Sequence, residues 1–223
     1  EGLEAAARDA RYTALEKARA EHSASYVLLG HNQDDQAETV LLGLARGSGL
    51  RSISGMPQID QERRLVRPLL DISRAELRQS CLDQDLQFWD DPHNQDESFL
   101  RVRVRNLAGE LEKTLGAGFQ AALARTAALA FEADDFLAQQ ARAVLAASDS
   151  DSGLAVGSVA GLHPALRRKT IQLYLQSISG TAISRAQVLE VEQLVINWHG
   201  QKKLDLSGIT VERVNDRLLV TAN

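Results

Sequence analysis

The stretch that decides the fold covers residues 25–45 and reads SYVLLGHNQDDQAETVLLGLA. Its β-branched and apolar start, Ser25–Leu29, predicts a buried strand, and the apolar spacing from residue 40 predicts a packed helix. One histidine and three carboxylates fall between them, at His31, Asp34, Asp35 and Glu38. In open α/β sheets, ligands bind outside the carboxyl ends of the strands, where helix N-termini also point. The stretch therefore predicts a reactive site at a strand-to-helix junction.

Asp35 and Glu38 are three residues apart, which places both carboxylates on one face of a helix that begins near Asp34. Together they can hold an ammonium group or a metal ion. The alternative is helix capping, because acids in a first turn stabilise the helix dipole and Asp35–Glu38 has the spacing of a capping box. The sequence leaves both interpretations open, although capping requires neither His31 nor a third acid.

Further motifs follow in order: GLARGSGL at residues 43–50, RPLL at 67–70, WDDPHN at 89–94 and RVRVR at 101–105. Together with GHNQDDQAET at residues 30–39, this series resembles the tRNA(Ile)-lysidine synthetase family. That family carries GHxxDDxxET, then R-G-S/T-G-L, then R-P-L-L, then an acidic loop with Asn followed by alternating arginines. Ordered matches are far more specific than any single motif. Residues 118–223 match the family more loosely.

The resemblance implies an α/β fold in which a partial Rossmann-like PP-loop domain, of the adenine nucleotide alpha hydrolase-like type, comes first. An α-helical domain and a small antiparallel β tail follow it. We place these parts at residues 1–90, 91–150 and 151–223. The family opens with a strand and a Ser-Gly-Gly-x-Asp-Ser phosphate loop that this sequence does not contain. Gly47 does not replace that loop, because we expect it to be a helix C-cap that presents carbonyl groups. We therefore expect a fragment that is inactive alone.

The resemblance also implies a reaction. ATP adenylates the wobble cytidine of the isoleucine tRNA with a CAU anticodon, and the ε-amino group of L-lysine then displaces AMP to leave lysidine. Asp35 and Glu38 match the family acids that would hold the amino groups of lysine, and His31 and Asp34 would border ATP or its Mg²⁺, with Asp34 as the metal ligand. The implied catalytic set is Asp34, Asp35 and Glu38. The implied substrate and tRNA contacts are Asp35, Glu38, Arg67, Asn94, Arg101, Arg103 and Arg105.

Composition limits the remaining choices. The net charge is −5 and the chain has one cysteine, Cys81. A single cysteine excludes a disulfide framework and a Cys-x-x-Cys site, and it counts against a rival assignment as a tRNA thiolase. We expect Cys81 to be a buried helix residue. No membrane span or secretory signal is found, so we expect a cytoplasmic protein without membrane contact. A homodimer is allowed, and a non-catalytic tRNA-docking module is a second alternative.

Arginines concentrate locally despite the acidic total, at residues 63–67, 101–105 and 167–169. If residues 101–105 are extended, the three arginines share one face; if they are helical, Arg101 and Arg105 pair while Arg103 faces elsewhere. The alternative to a ligand site is a solvated face in which these arginines pair with Asp96 and Glu97.

Apolar periodicity and breakers predict the other elements. Helices are expected over residues 2–22, 34–46, 73–86, 105–115, 119–145, 165–178 and 184–197, and a meander of three strands over 203–220. Ile53–Met56 and Leu65–Val66 are expected to be extended. Residues 148–153 consist of Ser, Asp and Gly, which predicts a linker. The alternative of a calcium loop lacks the glutamate that would complete it. Trp198 is expected to plug the core, with a stacking platform for a base as the alternative.

Overall fold

A computed structural model describes residues 3–47, 49–148 and 153–222. The chain divides into two compact units, the first made of Glu1–Gly47 and Ser52–Phe131, the second of Ser48–Arg51 and Glu132–Asn223. The elements up to residue 147 are α1 (Leu3–Glu21), β1 (Val27–Leu28), α2 (Gln33–Arg46), α3 (Leu50–Ile53), β2 (Ile59–Asp60), β3 (Leu65–Val66), α4 (Arg74–Asp83), a 3₁₀ helix (Pro92–Gln95), α5 (Leu100–Leu115) and α6 (Phe119–Ala147). The three-part division of the chain stays a prediction.

The first unit contains a small mixed sheet in the order β1-β3-β2. Strands β1 and β3 are parallel, with Val27 opposite Leu65, and β2 runs antiparallel to β3. Parallel pairing brings the carboxyl ends of β1 and β3 to one edge of the sheet. The predicted strand at Ser25–Leu29 is confirmed in position, but its expected burial is wrong. Leu28 is 70% exposed, because adjacent residues of a strand face opposite sides and only the Val27 side is partly covered.

Helix α2 begins one residue earlier than expected, at Gln33. Its N-cap is Asn32, whose side chain accepts a hydrogen bond from the Asp35 backbone N–H, while the Asp35 carboxylate accepts one from the Asn32 backbone N–H. The capping box is therefore Asn32–Asp35, so the predicted Asp35–Glu38 box is wrong. The expected C-cap at Gly47 is confirmed, with φ of 62°. Ser48, which follows it in the family-like turn, lies outside the described residues.

A close approach of two backbones explains Gly43 in the middle of α2. A Cβ at this position would overlap the carbonyl oxygen of Ser52 and would lie 2.7 Å from its carbonyl carbon. The next segment is helical over Leu50–Ile53, and Gly55 has a φ of 61°, so the extended conformation predicted for Ile53–Met56 is wrong. The Gln36 side chain holds that segment, since its amide binds both the backbone N–H and the carbonyl of Met56, at 2.8 and 2.9 Å.

Later helices follow the predictions with shifted ends. The predicted capping box of α4 is confirmed at Ser73 and Glu76, although the helix ends at Asp83. Helix α5 starts at Leu100, five residues earlier than expected, because the RVRVR run is helical. Cys81 lies half-buried on α4. On α6, Ala127 is fully buried, whereas Phe136 is 60% exposed.

The second unit contains part of α6 and the seven strands and helices that the structure describes after residue 153. They are β4 (Leu154–Ala155), α7 (Val156–Ala160), α8 (Pro164–Ser179), α9 (Arg185–Ile196), β5 (Leu204–Leu206), β6 (Ile209–Val214) and β7 (Arg217–Ala222). The predicted meander is confirmed as antiparallel β5-β6-β7, and β4 joins it beside β7. Residues 149–152 of the predicted linker lie outside the described residues.

The core of the second unit lies between its sheet and its helices. Its fully buried members include Leu154, Ile171, Leu175, Val191, Ile209 and Leu218. Glu192 is buried beside them, and it binds Arg167 Nε at 2.8 Å and Arg168 Nε at 2.7 Å. Trp198 does not plug this core, because it remains 38% exposed. Across the described ranges, no helix is both long and apolar enough to cross a bilayer.

Candidate active site

The candidate site forms where the segments that follow β1 and β3 meet. Asn32 forms a parallel bridge with Leu69, and the backbone N–H of Gln33 donates to the Ile72 carbonyl at 3.0 Å. The start of α2 is therefore fixed beside the start of α4. The two helix starts therefore lie at the carboxyl ends of β1 and β3, and the cause is the parallel pairing of these strands.

Asp34 and Asp35 join the two helix starts. Asp34 Oδ2 accepts a hydrogen bond of 2.7 Å from the backbone N–H of Arg74, the first residue of α4. Asp35 Oδ2 accepts the capping bond of 3.0 Å from Asn32, and its Oδ1 lies 3.3 Å from Arg74 Nη2. Both acids thus have structural partners in addition to any role toward a ligand.

Glu38 is the most buried acid of the site, with 1% of its side chain exposed. Its Oε1 lies 2.6 Å from Arg105 Nε and 3.7 Å from Arg74 Nη2. Its Oε2 is buried and has no hydrogen-bond partner among the described residues. A buried carboxylate oxygen without a partner is costly, so it marks a position where a donor from outside the chain would be favourable.

Sequence reasoning missed Arg74. This residue contacts both Asp35 and Glu38 and thereby closes the acid cluster. The available signal was the capping box at Ser73, which fixed the start of α4. Nothing in the local pattern indicated that the first side chain of α4 would lie against α2, since that contact depends on how the two segments pack.

Three arginines, Arg67, Arg11 and Arg101, form a cationic cluster close enough to His31 to affect its pKa. Arg67 is 3% exposed, and its Nη1 donates to the Pro57 carbonyl at 2.8 Å. Arg67 Nε, His31 Nδ1 and the Tyr12 hydroxyl are buried without a partner in the described part of the chain. Three such atoms, all close to positive charges, form a suitable environment for an anion.

The pKa values near this cluster reflect the same charges. Burial lowers the pKa of His31, and Arg67, Arg11 and Arg101 lower it further against the opposing effect of Asp35. Burial raises the pKa of the Tyr12 phenol, but the surrounding arginines outweigh burial and hold that pKa below its ordinary value. Burial and the arginines therefore favour the neutral form of the His31 imidazole.

Arg101, Arg103 and Arg105 do not share one face, as expected if residues 101–105 are helical. Arg105 reaches Glu38, and Arg101 contributes positive charge near His31. Arg103 faces elsewhere, and its Nη1 donates to the backbone carbonyls of Glu97 and Ser98 at 2.6 and 2.9 Å. The alternative in which residues 101–105 are extended and all three arginines share one face is wrong, because these residues belong to helix α5.

Asn94 lies on the 3₁₀ helix Pro92–Gln95 and is exposed. The contacts of this segment are local: the Asn94 backbone N–H donates to the Asp91 carbonyl at 2.9 Å. The structure does not bring the Asn94 side chain into the acid cluster. Its role toward a substrate stays a prediction.

Family models match both halves of the chain. A model described as a PP-loop domain matches residues 1–111, and a model described as a TilS substrate binding domain matches residues 154–219. A solved structure, the U34-tRNA thiolase NcsA from Methanococcus maripaludis with its [4Fe-4S] cluster, matches with a TM-score of 0.47 and 19% identity. That match covers 57% of this chain and 43% of the other.

Curated proteins match over nearly the whole chain. The tRNA(Ile)-lysidine synthase of Streptomyces coelicolor is 44% identical over 98% of this chain and 64% of its own length. The corresponding protein of Leifsonia xyli is 45% identical over 97% of this chain and 67% of its own length. That of Thermobifida fusca is 40% identical over 100% of this chain and 69% of its own length. The chain thus spans about two thirds of these relatives. With identity at this level over two thirds of a curated relative, and with both domain models in order, the chain belongs to the tRNA(Ile)-lysidine synthase family.

Proposed function

We propose that the protein containing this chain joins L-lysine to C2 of the wobble cytidine in the isoleucine tRNA with a CAU anticodon. ATP first adenylates the C2 oxygen and pyrophosphate leaves. The ε-nitrogen of lysine then forms a bond to C2, AMP leaves with the electrons of the C2–O bond, and the attacking nitrogen releases a proton. The observation that carries this proposal is the buried Glu38 carboxylate, whose Oε2 has no hydrogen-bond partner among the described residues.

Asp35 and Glu38 bind the amino groups of lysine in this proposal. Arg74 is the cation that already lies between them, at 3.3 Å from Asp35 Oδ1 and 3.7 Å from Glu38 Oε1. These contacts are longer than the 2.6 Å contact of Arg105 with Glu38, and 38% of the Arg74 side chain is exposed. Arg74 is therefore the partner that an incoming ammonium group displaces, while Arg105 keeps Glu38 in place. Holding the amine in position then lowers the barrier to attack.

The nucleotide is assigned to the side of His31. Arg67, Arg11 and Arg101 provide positive charge there, and the unpartnered Arg67 Nε and His31 Nδ1 fit phosphate oxygens. Within the described residues, no group of three or more His, Cys, Asp or Glu side chains can hold a metal ion. Mg²⁺ usually takes one or two carboxylates and completes its shell with phosphates and water, so Asp34 fits a metal that the nucleotide brings. Mg²⁺ would supply charge neutralisation at the phosphates.

The tRNA is assigned to α5 and to the second unit. Arg101, Arg103 and Arg105 lie on the first turns of α5, and Arg103 is exposed on its outer side. A guanidinium group can hold a phosphate with two hydrogen bonds or stack on a base. Arg67 and Asn94 complete the proposed substrate set; Arg67 is buried and Asn94 is exposed.

We place this activity in the cytoplasm, and a homodimer is allowed.

The test measures the transfer of radiolabelled lysine to tRNA with a CAU anticodon by the complete protein. The variant Glu38→Gln keeps the shape of the side chain and removes its charge. We expect kcat/KM for lysine to fall by about 100-fold, because the loss of a charged hydrogen bond costs about 1.5–3 kcal/mol. The matched control is Glu110→Gln, an exposed acid of α5 that pairs with Lys113. Absence of lysine transfer by the unaltered protein would overturn the function.

A further inference from the structure

The connection between α9 and β5 carries an exposed tryptophan outside the candidate active site. Trp198 follows the end of α9 by two residues and is 38% exposed. An indole that is only partly covered leaves apolar area in contact with water. Aromatic side chains in this position often bind a partner with a flat surface.

Arg213 fixes one face of this tryptophan. Its guanidinium carbon lies 5.2 Å from the centroid of the Trp198 ring. The same guanidinium group is held in place, since Nη1 donates to the Leu194 carbonyl at 2.9 Å and Nη2 lies 3.1 Å from Asp216 Oδ1. The carbonyl belongs to the last turn of α9, where a cation is favourable. Because Arg213 covers one face and cannot move freely, the accessible area of Trp198 lies on its other face and edge.

Two lysines follow Trp198 within five positions of the sequence. Lys202 and Lys203 lie in the same connection and are exposed. A rigid aromatic face next to a pair of cations is the arrangement that binds single-stranded nucleic acid, in which a base stacks and the neighbouring phosphates contact lysine. A protein partner would be expected to meet an apolar surface with fewer lysines.

We infer that Trp198 is a stacking platform for an unpaired base of the tRNA, and that Lys202 and Lys203 contact the phosphates beside that base. The inference rests on the proposed function only for the identity of the RNA. It assigns a base-binding position to the second unit, separate from the acid cluster of the first. Arg213 is a positioning residue here, because it acts by holding the indole.

Tryptophan fluorescence tests the stacking directly, because the sequence contains two tryptophans. In the 223-residue chain with Trp89→Phe, Trp198 is the remaining indole, and we expect tRNA to quench its emission. In the chain with Trp198→Phe, emission comes from Trp89, which is 77% exposed and lies five positions from Asn94, so its quenching reports tRNA contact with the first unit. Quenching of Trp89 without quenching of Trp198 would overturn the inference.

Binding affinity provides the second test. Trp198→Phe keeps an aromatic face, whereas Trp198→Leu keeps apolar bulk without one. We expect Trp198→Leu to raise the Kd for tRNA by about fivefold or more and Trp198→Phe to restore most of the affinity. Lys202→Gln should lower the slope of log Kd against log salt by about 1. Arg185→Gln is the matched control, since this exposed arginine begins α9 at the end away from Trp198.

The outcomes distinguish the two proposals. If the unaltered chain binds tRNA but Trp198→Leu and Trp198→Phe bind equally well, the stacking platform is wrong and the proposed function stands. If the unaltered chain binds no tRNA, then both the platform and the assignment of tRNA to the second unit are wrong. Equal thermal unfolding of the Leu and Phe variants shows that any difference in Kd comes from the aromatic face.

Discussion

Arg105 Nε donates to Glu38 Oε1 across 2.6 Å, which joins two residues that are 67 positions apart in the sequence. Glu38 lies on α2 and Arg105 on α5, and these helices pack together in the first unit. Arg105 is thus a charged partner for Glu38 Oε1, whereas Glu38 Oε2 has no hydrogen-bond partner among the described residues. A buried acid balanced in this way can accept a second cation at modest cost, whereas an acid without a partner would be destabilising.

Asp35→Asn tests the binding of the lysine amine in the complete protein. Asparagine keeps an oxygen for the cap at Asn32 but loses the negative charge. We expect the KM for lysine to rise by about tenfold or more, since hydrogen bonds to charged groups contribute roughly 1.5–3 kcal/mol, with the KM for ATP unchanged. Steady-state kinetics with varied lysine measure this change. Asp83→Asn, an exposed acid at the end of α4, is the control. An unchanged lysine KM would remove Asp35 from the binding site.

Arg74→Gln should act in the opposite direction. Arg74 occupies the space between Asp35 and Glu38, so its removal leaves two carboxylates available to lysine. We expect the KM for lysine to fall severalfold, since lysine no longer competes with a bound guanidinium. Arg78→Gln controls for the loss of one charge from α4, because Arg78 pairs with the exposed Asp90. A raised KM would mean that Arg74 supports the lysine site instead of occupying it.

Gly43→Ala should destabilise the first unit even though alanine favours helices. A Cβ at this position overlaps the Ser52 carbonyl, which is backbone and cannot rotate away. We expect the free energy of unfolding to fall by about 1–3 kcal/mol, the usual cost of overpacking. Gly109→Ala is the matched control in helix α5, where a Cβ would contact nothing within 4 Å. That variant should raise stability by up to about 1 kcal/mol in urea unfolding. Equal effects of the two variants would contradict the close approach.

Glu192→Gln should weaken the second unit. It removes the charge that Arg167 and Arg168 bind, and Arg167 is 8% exposed. We expect a loss of about 3 kcal/mol in the local free energy of opening, because one partner of a buried ion pair is left uncompensated. Hydrogen exchange of the α8 and α9 amides measures it. Glu190→Gln, an exposed acid on the same helix, should change little.

The same residue predicts a pH dependence. Burial raises the pKa of Glu192, but the hydrogen bonds and charges of Arg168 and Arg167 outweigh burial and place that pKa below 4.5. The unfolded chain therefore binds this proton more readily than the folded chain. The contribution to stability is complete above 4.5 and is lost as the pH falls through the lowered pKa. Glu192→Gln should flatten acid unfolding in this range, and an unchanged profile would contradict the assignment.

His31 predicts a second pH dependence at higher pH. Burial and the nearby arginines lower its pKa below 6.5, so protonation favours the unfolded chain. Its contribution to the stability of the first unit is complete above 6.5 and decreases as the pH falls toward the lowered value. His31→Gln should reduce this decrease in urea unfolding measured across the range. His22→Gln, at an exposed position after α1, is the control. A steeper profile in His31→Gln would show that the sign is wrong.

Local features were predictable because they depend on neighbouring residues. The capping box at Ser73, the C-cap at Gly47 and the meander of the tail all follow from short-range hydrogen bonding and period. The acid cluster was also visible, since its members lie within eight positions of one another. The sequence did not identify Asn32 as the N-cap of α2, because Asn and Asp are both good N-cap residues and the sequence offers Asn32 and Asp35.

Long-range partners could not be predicted in the same way. Arg74 contacts Asp35 from 39 positions away, and Arg105 contacts Glu38 from 67. Side-chain contacts at such separations depend on the packing of α2 with α4 and α5, and no local period encodes that packing. The exposure of Leu28 and the coverage of Trp198 by Arg213 have the same origin, because both depend on which surfaces lie against each other.

The sequence by itself determined the longer helices, the three-stranded meander, the family, and the acids that lie at the strand-to-helix junction. Tertiary structure decided which partners each of these acids has within the protein. Asp34 and Asp35 each use one oxygen to bind the start of a helix, whereas Glu38 is buried with one oxygen that has no partner among the described residues. The physical reason is that these partners depend on how the helices pack, and packing is a property of the whole unit.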